Sequence, residues 1–218
     1  MAVQTAVLFG GAPVVSTARL QARLAGLVEP LVVAADSGAA TALGLGFVPG
    51  VVVGDLDSLD RATLRDLRRQ EIPIEVHPRA KDATDGQLAI ERALAASARE
   101  LVLVGFLGGP RLDQELANVL LLTRVAVPAV LLDGFNECRV LRPGEDYAWT
   151  AEPGELVSLL PLAGPAGGVS TRGLRWKLAD ETLEFGDTRG VSNEPVANSA
   201  GVRVSSGLLL VTRHFPGA

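Results

Sequence analysis

The sequence predicts an α/β fold: an N-terminal doubly wound, mostly parallel sheet domain over residues 1–137, then a smaller all-β sandwich or barrel domain over residues 138–218. Three observations predict it. The first 135 or so residues contain short, nearly unbroken Val/Leu/Ile runs, the pattern of strands buried on both faces of a parallel sheet. Those runs alternate with helical patterns, as βαβ units require. After that point the texture changes: Gly and Pro become frequent, β-type stretches recur, and no long helical pattern appears.

Taken in order, the runs Ala6–Phe9, Leu31–Ala35, Val51–Val53, Ile72–Val76, Leu101–Phe106 and Ala129–Leu132 read as strands. Between them Thr17–Val28, Ala39–Leu45, Asp60–Arg69, Asp85–Ala98 and Leu112–Arg124 read as helices. Thr84-x-x-Gln87 is a capping-box match just ahead of Leu88 and Ile90. Leu116, Val119, Leu120 and Leu122 give the last helix an apolar stripe. In the second half, Glu155–Leu160, Leu183–Phe185, Val202–Ser205 and Leu208–Thr212 read as strands. They are separated by turn signals at Pro143-Gly144, Pro153-Gly154, Gly164-Pro165 and Gly167-Gly168. The boundary falls in the stretch Gly134–Arg142.

Composition narrows the function. The chain has 218 residues, 48% of them hydrophobic, enough for a sizeable core. A net charge of −5, no basic run and only 4% aromatic residues argue against a nucleic-acid partner. No apolar run reaches the roughly 18 residues of a membrane span. Cys138 is the only cysteine, so there is no internal disulfide and no CxxC pair; a reducing, cytoplasmic setting is expected. The N-terminal MAVQTAVLFGGAPVV has no basic leader and does not read as a signal peptide.

The chemistry is concentrated in acidic turns. Val51–Val53 ends in Gly54, and Asp55 and Asp57 then flank Leu56; carboxylates two apart in extended chain point to one side. Such a pair suits a hard cation such as Mg²⁺, although acids after a strand are also ordinary loop residues. A second cluster, Lys81-Asp82-Ala83-Thr84-Asp85, tips the reading toward a metal-dependent phosphate enzyme. Ligands of open α/β sheets sit at the carboxyl ends of the strands. That rule brings Asp36, Asp55, Asp57, the Lys81–Asp85 cluster and the segment Gly105–Asp113 to one crevice. In the last of these, Gly105, Gly108 and Gly109 would let backbone approach phosphates, and Arg111 could pair with phosphate oxygens. Taken alone, that segment reads first as a plain strand-to-helix turn with a surface arginine; the acids upstream favour the phosphate reading. Walker A, GxGxxG, HExxH and nucleophile-elbow patterns are absent, and the two histidines, His77 and His214, read as structural or surface residues. By composition Trp176 reads as core, and Ser192-Asn193-Glu194 as a turn.

These strings, in this order, resemble the thiamine pyrophosphokinase family. Ala35-Asp36-Ser37-Gly38-Ala39 resembles that family's first acidic turn, and Gly54-Asp55-Leu56-Asp57-Ser58 its GDxDS motif. Lys81-Asp82-Ala83-Thr84-Asp85 resembles KDxTD, and Gly105 to Asn118 the GGRxDH…AN segment. Gly173–Trp176 and Ser192-Asn193-Glu194 are similar to its thiamine-site strings. Pro110 departs from the pattern by separating the glycines from Arg111; Gln114 stands where His is common, and Ser37 where Gly is common.

The resemblance implies pyrophosphoryl transfer from ATP to thiamine with Mg²⁺, giving thiamine diphosphate and AMP. It implies Asp55, Asp57 and Asp85 as the catalytic metal ligands. Asp36, Lys81, Asp82, Gly105, Gly108, Gly109, Arg111, Asp113 and Gln114 are implied around the nucleotide. For thiamine it implies Trp176 as the stacking residue, with Ser192 and Asn193 hydrogen-bonding the pyrimidine. It also implies a homodimer. Two alternatives stay open: a pyrophosphokinase acting on another alcohol, such as a hydroxymethylpterin, and a thiamine- or nucleotide-binding protein without turnover.

Overall fold

The computed structural model describes residues 4–217. The chain divides into two compact units between Gly134 and Phe135.

The first unit is a six-stranded, fully parallel sheet. Its strands are β1 (Thr5–Phe9), β2 (Leu31–Ala35), β3 (Val51–Gly54), β4 (Ile74–Val76), β5 (Glu100–Val104) and β6 (Ala129–Leu132). They lie in the order β4-β3-β2-β1-β5-β6. The apolar runs form strands because both faces are covered: Ala6–Phe9, Val51–Val53 and Leu101–Val104 are buried almost completely. Strands β1 to β4 progress in one direction and β5 and β6 in the other. The order therefore reverses at β1, and loops that leave the carboxyl ends of β1 and β5 diverge and open a crevice.

The connecting helices are α1 (Ala18–Ala25), α2 (Gly38–Gly44), α3 (Arg61–Arg69), α4 (Asp85–Ala95) and α5 (Leu112–Leu121), with a 3₁₀ turn at Leu122–Arg124. Local chemistry sets their starts. Thr17 accepts from the Leu20 amide, Asp60 from the Ala62 and Thr63 amides, and Thr84 from the Gln87 amide at 3.2 Å. The capping box expected at α4 is half formed, because the Gln87 side chain donates to Glu91 instead of returning to Thr84. The apolar stripe expected on the last helix does not enter the core. No residue of α5 is buried, and Leu112, Leu116 and Leu120 are exposed, while Leu122, beyond the helix, is buried.

The second unit is antiparallel. It contains β7 (Asn136–Leu141), β8 (Asp146–Thr150), β9 (Leu156–Arg172), β10 (Glu181–Leu183), β11 (Ser199–Arg203) and β12 (Ser206–His214). The order is β7-β12-β9-β11-β8, with β10 on β9. Sequence patterning misses β8, and misses β7 because its alternation is broken by Glu137 and Arg139, which the fold pairs with each other. Arg213 and Glu155, both buried, meet through two hydrogen bonds of 2.7 and 3.0 Å. Buried Glu137 on β7 receives Arg139 at 3.1 Å, and Trp149 on β8 donates to Glu155. Strand β9 runs 17 residues, straight through Gly164-Pro165 and Gly167-Gly168. The expected turns there are corrected to a strand with an irregularity, where pairing with β12 shifts register between Ser206 and Leu208. Val157, Leu159, Val169, Leu174, Leu183, Val202, Leu209 and Val211 form this unit's core.

Candidate active site

A cavity of about 620 Å³ opens at the carboxyl edge of the parallel sheet, in the size range of small-molecule sites. Residues that follow five strands line it: Gly10–Pro13 after β1, Asp36 and Ser37 after β2, Asp55, Asp57 and Ser58 after β3, Arg79, Lys81 and 83–86 after β4, and Gly105, Phe106 and 108–111 after β5. Gln114, Glu115 and Asn118 of α5 complete the wall.

Asp36 is the most deeply set of the acids. Its backbone is left-handed (φ 46°), and its amide donates to the Val53 carbonyl, which ties the end of β2 to β3. Its Oδ2 accepts from both the hydroxyl and the amide of Ser58. Its Oδ1 is buried and without a hydrogen-bond partner. Burial pushes the Asp36 carboxyl above the usual carboxylate range; the Ser58 bonds oppose that shift, and the charges of Asp85 and Asp55 add to it.

Asp55 and Asp57 do not leave β3 as extended chain. Leu56 between them is left-handed (φ 65°), and the Asp57 amide donates to Asp55 Oδ1 at 3.1 Å. A turn, rather than strand alternation, brings the two carboxylates together. The Asp57 amide holds the Asp55 carboxyl below the usual range, with the charges of Lys81 and Arg79 acting in the same direction. One carboxylate oxygen from each of Asp36, Asp55 and Asp57 lies within 4.8 Å of the others.

Asp85 is outside that group. Its Oδ1 sits 2.7 Å from Lys81 Nζ, and Lys81 Nζ is also 3.9 Å from Asp55 Oδ2. The structure therefore groups Asp36 with Asp55 and Asp57, and joins Asp85 to them through Lys81. A divalent cation fits the donors present: three hard oxygens, one of them a buried atom whose hydrogen-bonding capacity is unfilled.

In the glycine-rich segment Gly105, Gly108 and Gly109 all have positive φ, and all three line the cavity with Arg111 and Gln114. The Arg111 guanidinium is turned onto Asp113, donating from Nε at 2.8 Å and from Nη2 at 2.5 Å. That fork holds the Asp113 carboxyl down at about 2. Asp82 and Asp113, both exposed, are not among the lining residues. Asn118 Nδ2 donates to the Phe106 carbonyl at 2.9 Å and so anchors the start of this loop to α5.

In the second unit Trp176 is 57% exposed, which corrects the compositional expectation that it is core. Asn193 is buried. Its Oδ1 accepts from the amides of Trp176 and Glu194, and its Nδ2 donates to the Trp176 carbonyl at 2.7 Å. Both ends of this carboxamide are thus occupied in holding the Trp176 backbone. Ser192 has a left-handed backbone (φ 61°), and its amide donates to Ser158 Oγ.

Sequence reasoning missed Gly10–Pro13, Ser58 and Arg79. The first was legible: β1 ends in a Gly-Gly pair, and the strand-end rule applies to β1 as to the other strands. Arg79 carried no such signal.

Family models match both units: "Thiamin pyrophosphokinase, catalytic domain" over residues 28–130 and "Thiamin pyrophosphokinase, vitamin B1 binding domain" over residues 146–209. The chain belongs to the thiamin pyrophosphokinase family. A thiamine pyrophosphokinase of Bacillus subtilis (strain 168) is 26% identical over 181 residues, covering 82% of this chain and 84% of that protein. The crystal structure of a thiamin pyrophosphokinase from Geobacillus thermodenitrificans is 27% identical, with a TM-score of 0.85 and 99% of each chain covered. The crystal structure of the Bacillus subtilis thiamine pyrophosphokinase, 23% identical, shares the fold with a TM-score of 0.86, over 98% of this chain and 100% of that one.

Proposed function

We propose that the cavity at the carboxyl edge of the parallel sheet is where this thiamine diphosphokinase binds ATP and a divalent cation. The enzyme transfers the pyrophosphoryl group of ATP to thiamine. The thiamine hydroxyl oxygen bonds to the β-phosphorus, the bond from that phosphorus to the α-phosphate oxygen breaks, AMP departs with that oxygen, and the hydroxyl loses its proton. Such a transfer needs alignment and charge neutralisation rather than covalent help from the protein.

The observation that carries the site assignment is the three-carboxylate group with the unpartnered Asp36 Oδ1. Asp36, Asp55 and Asp57 would hold Mg²⁺, with Asp85 held beside them by Lys81. Bound there, Mg²⁺ would supply charge neutralisation for the polyphosphate. The Gly105–Gly109 loop presents backbone that phosphates can approach closely, since no Cβ stands over Gly108 and only Ala12 and Pro13 approach Gly109. Trp176 would stack on the cationic thiamine, an interaction worth about 1–2 kcal/mol when desolvated. Asn193 acts by fixing the Trp176 backbone.

The enzyme is proposed to work as a homodimer. The uncovered leucine ridge Leu112–Leu116–Leu120, on one face of α5 at four-residue spacing, supports that state. Among the described residues no helix is long and apolar enough to cross a membrane. Cys138 is the sequence's one cysteine and is buried, so no internal disulfide forms; that fits a reducing compartment, and we place the enzyme in the cytoplasm.

The deciding experiment incubates the pure protein with thiamine, ATP and Mg²⁺ and follows AMP and thiamine diphosphate. Both products in equal amounts are expected, and none with a hydroxymethylpterin as acceptor. Thiamine binding without AMP release overturns the assignment.

A further inference from the structure

The cavity holds three cationic side chains, Arg79, Lys81 and Arg111, among a larger number of carboxylates that include Asp36, Asp55, Asp57, Asp85 and Glu115. A nucleoside triphosphate brings several more negative charges, so the availability of each cation decides which of them can receive phosphate. Lys81 is largely buried and already closed onto Asp85 at 2.7 Å, with Asp55 at 3.9 Å. Arg111 has its planar fork on Asp113 through two nitrogens, and Pro110 sits between it and the glycines.

Arg79 differs from both. Its side chain is 84% exposed, yet it lines the cavity, and the contact described for it is a single ion pair from Nη2 to Asp57 Oδ2 at 3.4 Å. That separation is too long for a good charge-assisted hydrogen bond. Its partner belongs to the three-carboxylate group. Any cation held by that group competes with Arg79 for the Asp57 carboxylate. A guanidinium displaced from Asp57 keeps its full set of forked donors, is tethered beside the acids, and matches the paired oxygens of a diphosphate.

Building on the pyrophosphokinase reading above, we propose that Arg79 is a substrate-binding residue for the pyrophosphoryl portion of the donor, exchanging its contact with Asp57 for the β- and γ-phosphate oxygens. The group it grips is the one that leaves on the acceptor, so the same side chain holds inorganic pyrophosphate and the diphosphate end of the product. AMP, which lacks those phosphates, is not a ligand for it.

The test compares wild type, Arg79→Met and Arg79→Lys by calorimetric titration with inorganic pyrophosphate in the presence of Mg²⁺, with Mg²⁺ alone, and with AMP. Because the side chain is largely in solvent, its removal leaves the fold intact. The expected loss of pyrophosphate affinity in Arg79→Met is about 10- to 100-fold, the range for hydrogen bonds to a charged group. AMP affinity should not move. Arg79→Lys should recover part of the loss, since it restores charge but not the fork. In turnover, KM for ATP should rise by a similar factor, with KM for thiamine unchanged. Unchanged pyrophosphate affinity in Arg79→Met overturns the proposal. A gain in affinity for Mg²⁺ alone with no loss for pyrophosphate also overturns it, and reduces Arg79 to a counter-ion for Asp57. Failure of the wild-type protein to form AMP and thiamine diphosphate is a separate result that removes the pyrophosphokinase reading itself.

Discussion

Gly10 and Gly105 approach so closely that a Cβ on either would lie 2.4 Å from the other's carbonyl oxygen. The contact is backbone on backbone and is reinforced by the Gly10 amide donating to the Val104 carbonyl at 2.8 Å and the Ala12 amide donating to the Gly105 carbonyl at 2.9 Å. It ties the carboxyl ends of β1 and β5 together on the floor of the cavity, at the position where the strand order reverses.

Gly10→Ala therefore has no flexible neighbour to displace. It should lower stability by about 1–3 kcal/mol, the range for overpacking. Gly105→Ala should cost more, because φ at that position is +77° and the added strain is about 1–3 kcal/mol. Urea denaturation of the two variants checks the order. Equal stability of Gly105→Ala and the wild type would mean the strand ends are free to separate.

Asp57→Asn should cut kcat by at least about 100-fold, the usual scale for one oriented electrostatic group in a phosphoryl-transfer site. Its side chain is half exposed and pairs with Arg79, so the melting temperature should stay close to that of the wild type. Steady-state kinetics with a parallel thermal melt separates loss of chemistry from loss of fold. Wild-type turnover in this variant would refute the metal role.

Asp36 should link metal binding to pH. Burial raises its folded-state pKa above the ordinary carboxylate value, so the folded chain holds the proton to higher pH than the unfolded chain does. The sign follows from linkage: in that window the native state binds more protons, and this group's contribution to stability falls as pH rises. Asp36→Asn removes the penalty. Without metal, the variant's stability relative to wild type should improve as pH rises above the ordinary carboxylate value of about 4. Added Mg²⁺ should stabilise the wild type increasingly with pH over the same range and stabilise the variant little. Melts at several pH values, with and without Mg²⁺, read both effects; an equal Mg²⁺ gain in the two proteins would remove Asp36 from the ligand set.

Trp176→Ala should raise KM for thiamine, leave KM for ATP alone, and leave the fold intact, because the ring is mostly in solvent. Asn193→Ala should act differently. It strips three hydrogen bonds from the Trp176–Glu194 region in a buried setting, so it should lower stability by about 1–3 kcal/mol as well as raising KM for thiamine. A pure KM effect in Asn193→Ala, with no loss of melting temperature, would favour direct contact with the ligand.

The parallel half was legible because its signals are local. Val51–Val53 and Leu101–Val104 are apolar without interruption, as only strands covered on both faces need to be, and Asp60 and Thr84 mark helix starts through bonds to amides two or three residues away. The second half was less legible. Charged Glu137 and Arg213 look like surface residues until the fold pairs them with Arg139 and Glu155, and the glycines of β9 mark an irregularity inside one long strand rather than its end.

By itself the sequence determined which loops meet: strand period, helix caps and strand-end topology place Asp36, Asp55, Asp57, Lys81, Asp85 and the glycine-rich segment along one edge. Only the tertiary structure decided who pairs with whom. Asp36 rather than Asp85 joins the Asp55–Asp57 turn, Arg111 turns to Asp113 while Arg79 reaches Asp57, and Asn193 secures Trp176. The reason is one of length scale. Backbone periodicity is fixed by neighbours along the chain, whereas a carboxylate's partner is fixed by differences of an ångström or two between loops that arrive from different strands.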